Sequence, residues 1–290
     1  MMTPSLKTST DTDKSCVLCG RSTFKTWKVV DQVPIVLCEG CRLSFVHPQP
    51  TLVERESQYA QDKTSPADYY ERTTAADRET FAKRLRVIER YNTPGRLLEV
   101  GCTIGTFMQE AKRRGWDPVG VEPNPAACRS ARSAGLEVVE GFFSEQMLER
   151  MGRNFDLVHM GDVIEHVEDP LETVKLAARS LKRGGLLSIV TPDFGSAVAR
   201  KFQVKPFEHL FYFTEETLSK TLEKGGFRIE LLVRTTRRRD IKSILHGTTK
   251  LSPLLQLVVN GTAAVKLDGF FSWFCAQIIR DELFAIGRLP

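Results

Sequence analysis

Two stretches of the chain carry residue types and spacings from which a reactive site could be assembled. In residues 97–124 (LLEVGCTIGTFMQEAKRRGWDPVGVEPN) the acid Glu99 precedes Gly101 and Gly105, and a second acid, Glu122, closes the next apolar run. Glycines let a backbone pass close beneath a ligand, and an acid at the end of a second strand can hold both hydroxyls of a ribose. The glycine spacing is not the G-x-G-x-x-G that seats a pyrophosphate on a helix N-terminus. With Glu99 just ahead of it, the loop suits a cationic ligand without phosphate. In residues 155–170 (FDLVHMGDVIEHVEDP) Asp162, Glu165 and His166 follow a strand-like run, on the rim where open α/β sheets bind ligands. The His166 imidazole has an ordinary pKa near neutrality, as a proton carrier needs. It either takes a proton from a bound acceptor, with Glu165 orienting it or turned away, or it lines the pocket. His209, within FEHLFYF, is the second candidate base. The aromatics around it either stack on a substrate face or pack into the core.

Four of the seven cysteines fall in two C-x₂-C pairs, Cys16 with Cys19 and Cys38 with Cys41. Residues 1–14 are polar and rich in Ser and Thr, without the apolar centre of a signal peptide. A cytoplasmic location is therefore expected, and there disulfides are disfavoured. Two such pairs flanking a strand-like stretch read as a tetrahedral Cys₄ site for structural Zn²⁺, closed to substrate. Cys102, Cys128 and Cys275 are left over, and Cys102 sits in the glycine loop with no redox role assigned. The remaining carboxylates and histidines lack the spacing of a second metal site.

These groups need a scaffold. The 290 residues allow one full domain with a small appendage, and 41% apolar with 27% charged residues is the balance of a soluble globular protein. A net charge of +5 tolerates an acidic partner without demanding one. Strands are predicted at 97–100, 118–121, 136–139, 155–160, 186–191, 228–233 and 282–286, and helices at 106–114, 125–133, 171–181 and 214–224. That alternation predicts an α/β fold, a doubly wound and mostly parallel sheet covered on both faces. Residues 15–50 are the ribbon, with strands at 25–30 and 34–37. Residues 51–94 read as a helical linker or lid, whose helix at 68–90 puts Phe81, Leu85 and Ile88 on one face. The tail 1–14 is expected to be disordered. Residues 95–240 form the core and residues 281–290 its last strand, with a helical insertion at 241–280 between them. The insertion holds LSPLLQLVV and GFFSWFCAQII, both too short to span a bilayer. It packs on the core, covers the site as a lid, forms a dimer contact or rests on a membrane surface.

The glycine loop resembles motif I of the class I S-adenosylmethionine (AdoMet) methyltransferases, acid-x-Gly-x-Gly-x-Gly, with Thr103 in place of the middle glycine. FDLVHMGDVIEHV resembles their motif IV region, LKRGGLLSIVTPD their fifth strand, and residues 224–228 the turn into their sixth. The cysteine pairs, followed by His47-Pro48-Gln49-Pro50 and Tyr59, resemble the zinc-ribbon extension of a bacterial subfamily found among sugar and natural-product methyltransferases. The resemblance runs over residues 16–234 and the last strand. It implies a Rossmann-like, seven-stranded sheet with AdoMet as cofactor. Glu99, Gly101, Thr103 and Gly105 would line the methionine end, Glu122 would bind the ribose, Phe142 would flank the adenine and Asp162 would lie near the sulfonium. Cys102, Pro123 and Asn124 complete the expected cofactor set. The implied reaction is methyl transfer to a hydroxyl or carbon of a small molecule, such as a sugar, nucleotide-sugar or secondary metabolite, with His166 as base. It asks the protein to align donor and acceptor, exclude water and take a proton. Two other functions stay open. One is an RNA methyltransferase gripping nucleic acid through the ribbon and the Arg237–Arg239 run, against which the basic residues are scattered. The other is a non-catalytic binding protein that keeps the fold.

Overall fold

The apolar runs read as strands collect into one sheet because most are buried on both faces. In a computed structural model the described residues are 15–51, 53, 66–236 and 280–290. The predicted tail, Tyr59, the Arg237–Arg239 run and residues 241–279 of the insertion lie outside them. The chain begins with β1 (Phe24–Val30), β2 (Val33–Cys38), β3 (Ser44–Val46) and α1 (Pro66–Ile88). The alternating part follows as β4 (Arg96–Val100), α2 (Thr106–Arg113), β5 (Asp117–Glu122), α3 (Pro125–Ser133), β6 (Glu137–Glu140), α4 (Glu145–Met151) and β7 (Phe155–Gly161). It continues as α5 (Pro170–Ser180), β8 (Leu181–Pro192), α6 (Ala197–Phe202), β9 (Phe211–Tyr212), α7 (Glu215–Lys224), β10 (Arg228–Thr235) and β11 (Glu282–Arg288).

Seven strands form a Rossmann-like sheet in the order β10-β11-β8-β7-β4-β5-β6. β4 to β8 pair in parallel, and β11 runs antiparallel between β8 and β10. On one face Leu97, Leu157, Leu186 and Ile286 pack with Leu85 and Ile88 of α1 and Phe107 of α2. On the other, Leu98, Val158 and Leu187 share a cluster with Leu148 of α4, Val174 of α5 and Leu218 of α7. Two helices start on a side-chain cap followed by proline: Asn124 accepts from the Ala126 and Ala127 amides, and Asp169 from the Glu172 amide. The buried side of α1 is less apolar than its periodicity predicts, since it also takes in Asp77, Thr80 and Arg84. Arg84 meets Glu282 of β11 at 2.5 Å, with both side chains almost fully buried.

The strand order reverses at β4, which lies between β5 and β7. Ligands bind beyond the carboxyl ends of the strands at such a point. A second, four-stranded sheet runs β1-β2-β3-β9. Its hairpin between β1 and β2 turns through Asp31 and Gln32, both at positive φ (48° and 66°), as a two-residue turn of the favoured hand requires. Its fourth strand, β9, comes from the segment after β8 that the sequence reading left without a strand. Among the described residues no helix is long and apolar enough to cross a membrane.

Candidate functional site

The glycine loop leaves β4 and folds over the end of β5: the Gly101 and Cys102 amides donate to the Val121 carbonyl at 2.8 and 3.2 Å. Gly101 has φ 70°, and a Cβ there would stand 2.7 Å from Val163 Cγ2. Gly105, at φ 79°, is the N-cap of α2, and a Cβ would meet Leu136 Cδ1 at 2.2 Å. Both positions are left-handed, where a side chain is strained, and a Cβ would also force the Val163 or Leu136 methyl to move. Thr103 also has positive φ, 48°, which explains why the resembled motif carries glycine there and what the threonine costs in backbone strain. Cys102, expected in the cofactor set, turns its side chain away into a core cluster with Met108, Cys128 and Leu136, so only its backbone lines the loop.

Two acids sit under this loop. Glu122 accepts the Thr103 amide on one carboxylate oxygen (3.0 Å) and the Asn124 amide on the other (2.8 Å). Burial pushes its pKa up, partly countered by those two amides. Glu99 is buried with Oε2 unpartnered, and burial followed by the Glu122 charge pushes its carboxyl well above the usual range. Two neighbouring buried acids with this bias attract a cation or a ligand rich in N–H and O–H donors. Pro123 is half-buried beside them, whereas Asn124 uses its carboxamide oxygen to cap α3. Phe142, just beyond β6, is 44% exposed.

At the end of β7, Asp162 adopts φ 54° while its amide donates to the Val190 carbonyl of β8 at 2.9 Å. This left-handed residue turns the chain, so that Val163 covers Gly101 and Glu165 returns to the interior. Glu165 is fully buried and accepts the Thr191 hydroxyl on Oε2 at 2.9 Å. Its Oε1 lies 3.9 Å from His166 Nε2. Burial, then the nearby Asp162, drives the Glu165 pKa well upward. The His166 Nδ1–H donates to the Glu208 carbonyl at 2.6 Å, which leaves the lone pair on Nε2. His209 is held in the same way, its Nδ1–H donating to the Gln203 carbonyl at 2.8 Å. The two rings meet edge to face at 4.9 Å. Burial lowers the His166 pKa; burial and then the His166 neighbour lower that of His209 to about 3.

The sequence reading missed the convergence of these groups. Glu165, His166 and His209 each offer one ligand atom, all within 4.8 Å of one another. The sequence spacing of these residues gave no sign of this cluster, because folding brings His209 onto a pair it does not adjoin in sequence. Thr191 was missed too, and its signal was a lone hydroxyl at the carboxyl end of an apolar strand.

Cys16, Cys19, Cys38 and Cys41 also converge within 4.8 Å. Cys16 and Cys41 sulfurs are 3.5 Å apart, as are those of Cys19 and Cys38. A tetrahedron with Zn–S bonds of about 2.3 Å has edges of about 3.8 Å. Backbone amides of Leu18 and Cys19 point at the Cys16 sulfur and that of Leu43 at Cys41. The donor set fits a thiolate-bound metal of ribbon type.

Comparison with known proteins agrees with this geometry. A family profile described as a methyltransferase domain matches residues 69–232. The chain belongs to that family, the class I AdoMet-dependent methyltransferases. It is 27% identical over 143 residues to a ubiquinone biosynthesis O-methyltransferase of Agrobacterium fabrum, covering 48% of this chain and 54% of the relative. Against the protein of the same name from Ruegeria sp. it is 33% identical over 146 residues, covering 45% and 59%. The chain thus spans little more than half the length of the curated relatives it matches. A methyltransferase structure from Archaeoglobus fulgidus superposes with TM-score 0.52 at 21% identity, covering 76% of this chain and 99% of the other. Phosphoethanolamine N-methyltransferase 2 of Haemonchus contortus, solved with AdoMet, gives 0.52 at 17% identity, covering 85% and 62%. These two likenesses concern the fold.

Proposed function

We propose that the protein transfers the methyl group of AdoMet to a hydroxyl or carbon of a small molecule, with His166 as general base and Zn²⁺ in the Cys₄ ribbon. The observation that carries this reading is a shared rim: the glycine loop with Glu99 and Glu122 stands beside a paired histidine whose Nε2 holds a lone pair. AdoMet brings its own activated leaving group, so the chain's residues need only hold, align and deprotonate. Glu99 and the loop residues Gly101, Thr103 and Gly105 take the methionine end, Glu122 the ribose, Phe142 the adenine edge and Asp162 the sulfonium side. Burial keeps His166 neutral at physiological pH, ready to accept a proton, and the nearby Asp162 and Glu208 charges favour the imidazolium that results. The O-methyltransferase names of the relatives favour a hydroxyl over a carbon as acceptor. Calorimetry with AdoMet and its demethylated product tests the cofactor, and His166→Asn tests the base. The variant is expected to bind AdoMet normally and to lose at least 100-fold in turnover of hydroxylated acceptors. Full turnover would remove the base assignment, and no AdoMet binding by the parent would favour a non-catalytic protein.

The Glu165–His166–His209 set supports a second reading of proton removal, in which the three ligate a divalent cation that acidifies the acceptor hydroxyl. Mn²⁺ titration followed by electron paramagnetic resonance separates the two. Stoichiometric binding lost in His209→Ala favours the cation, and no binding favours the free base.

A further inference from the structure

The proton-handling pair and the cysteine ribbon share a seam without a spacer. β9 begins two residues after His209 and pairs antiparallel with β3, Ser44 opposite Tyr212 and Phe45 opposite Phe211. The Val46 amide adds a bond to the Leu210 carbonyl at 2.8 Å. From the other side, the Leu210 and Phe211 amides both donate to the Glu165 carbonyl, at 2.8 and 3.1 Å. The chain that leaves His209 is therefore clamped between the ribbon's edge strand and the residue preceding His166.

Packing repeats the pattern. Leu210, Phe211 and Phe213 share with Leu18, Leu43 and Phe45 a buried cluster that extends to Leu98 and Val121 of the main sheet, so what singles out β9 is its backbone pairing with β3. The Phe45 ring stands 6.0 Å from Phe211 and 5.1 Å from Phe24. A ribbon of this size cannot fold on its own apolar surface and needs a staple. Its β3 is three residues long and follows directly on the Cys38–Cys41 turn, where the Cys38 amide donates to the Leu43 carbonyl at 2.9 Å. The staple and the seam are thus neighbours in the chain.

We infer that the ribbon is a brace for the acceptor side of the site: closing the four cysteines on a metal sets β3, β3 sets β9, and β9 holds His209 against His166. Phe45 and Phe211 are positioning residues in this arrangement. The AdoMet cradle on β4, β5 and α2 takes no part in the β3–β9 ladder, so releasing the brace is expected to loosen the acceptor side far more than the cradle. The inference rests on the metal-ribbon reading above, and the experiment separates the two.

Metal content of the purified protein is measured first. Hydrogen exchange by mass spectrometry then compares intact protein, chelator-stripped protein and a Phe45→Ala variant that retains its cysteines. The Nδ1–H tautomer of His209 is followed by nitrogen NMR, and AdoMet affinity by calorimetry. The expected result is at least tenfold faster exchange at Leu210 and Phe211 in both perturbed forms. The Nδ1–H signature should be lost, while residues 97–124 stay protected and AdoMet affinity stays within twofold. Phe45→Leu should restore most of the protection. Unchanged exchange at Leu210 and Phe211 in both forms would overturn the brace. So would a loss of protection shared equally by residues 97–124, which is plain unfolding. A protein devoid of metal would sink the ribbon reading and with it the link from metal to β3, leaving Phe45→Ala to test the seam from β3 through β9 to His209. If Phe45→Ala fails to fold, the comparison of intact and chelator-stripped protein decides the matter.

Discussion

Replacing Glu122 by alanine tests the cofactor assignment most directly, because the structure sets the size of the effect. The carboxylate carries out two tasks. In the free protein it accepts the Thr103 and Asn124 amides, and so ties the glycine loop to the start of α3. In the complex its remaining lone pairs are assigned to the two ribose hydroxyls. A hydrogen bond to a charged group contributes about 1.5–3 kcal/mol, so two ribose bonds amount to about 3–6 kcal/mol. At about 1.4 kcal/mol per tenfold, even the lower end predicts a loss of about 100-fold in AdoMet affinity. Glutamine retains the shape but points an N–H₂ at one of the two amides, so Glu122→Gln should fall between alanine and the parent. Calorimetry is the assay, with thermal unfolding alongside to read the loosened loop. The demethylated product shares the ribose and lacks the positive sulfur, so its affinity should fall by the same factor. An alanine variant within threefold of the parent would refute the ribose assignment. A tenfold difference between the two ligands would mean that Glu122 acts on the sulfonium through its charge.

Two further outcomes concern stability. Arg84→Leu removes the guanidinium that buried Glu282 meets and should cost about 3–5 kcal/mol in urea unfolding, whereas Arg84→Leu with Glu282→Leu should recover most of it. A double variant no better than the single would show that the pair is not what joins α1 to β11. His159 is buried against Phe107, and burial lowers its pKa from 6.5 to about 3. The folded state therefore binds fewer protons than the unfolded state between those values. Stability is complete above 6.5 and falls as the pH drops below it, by about 1.4 kcal/mol for this group at pH 5.5. His159→Gln should flatten that part of the pH profile, and an unchanged slope would place the acid sensitivity elsewhere.

What could be read from the sequence is local. The strand-loop-helix-acid order around Gly101 and Gly105, the Asn124-Pro125 and Asp169-Pro170 helix starts and the cysteine pairs depend on residues near one another in the chain. Strands β3 and β9 escaped because three and two residues carry no periodicity; they exist only as partners. The meeting of His166 with His209 escaped for the same reason, since it depends on the Glu165 carbonyl gathering a segment far along the chain. Cys102 was placed on the ligand side because its neighbours in sequence are loop residues, yet left-handed Gly101 and Thr103 on either side turn it inward. Arg84 shows the limit of an apolar stripe: the i, i+4, i+7 pattern of α1 marked Phe81, Leu85 and Ile88, but a buried charge is invisible until its partner on β11 arrives.

The position of β11 bears on how the protein is born. It follows both β8 and β10 in the chain, yet it lies between them in the sheet. A ribosome adding 5–20 residues per second would complete β8 roughly 5–20 s before it reached the end of β11. Throughout that interval β8 presents an open, apolar edge, and β10 lacks the neighbour that joins it to the rest. Such edges invite pairing with other chains. Nascent molecules of this protein therefore pass through a stage in which most of the AdoMet cradle is already folded while the sheet is still open along one seam. Insertion of β11 closes that inner seam and leaves β10 and β6 as the outer strands of the sheet.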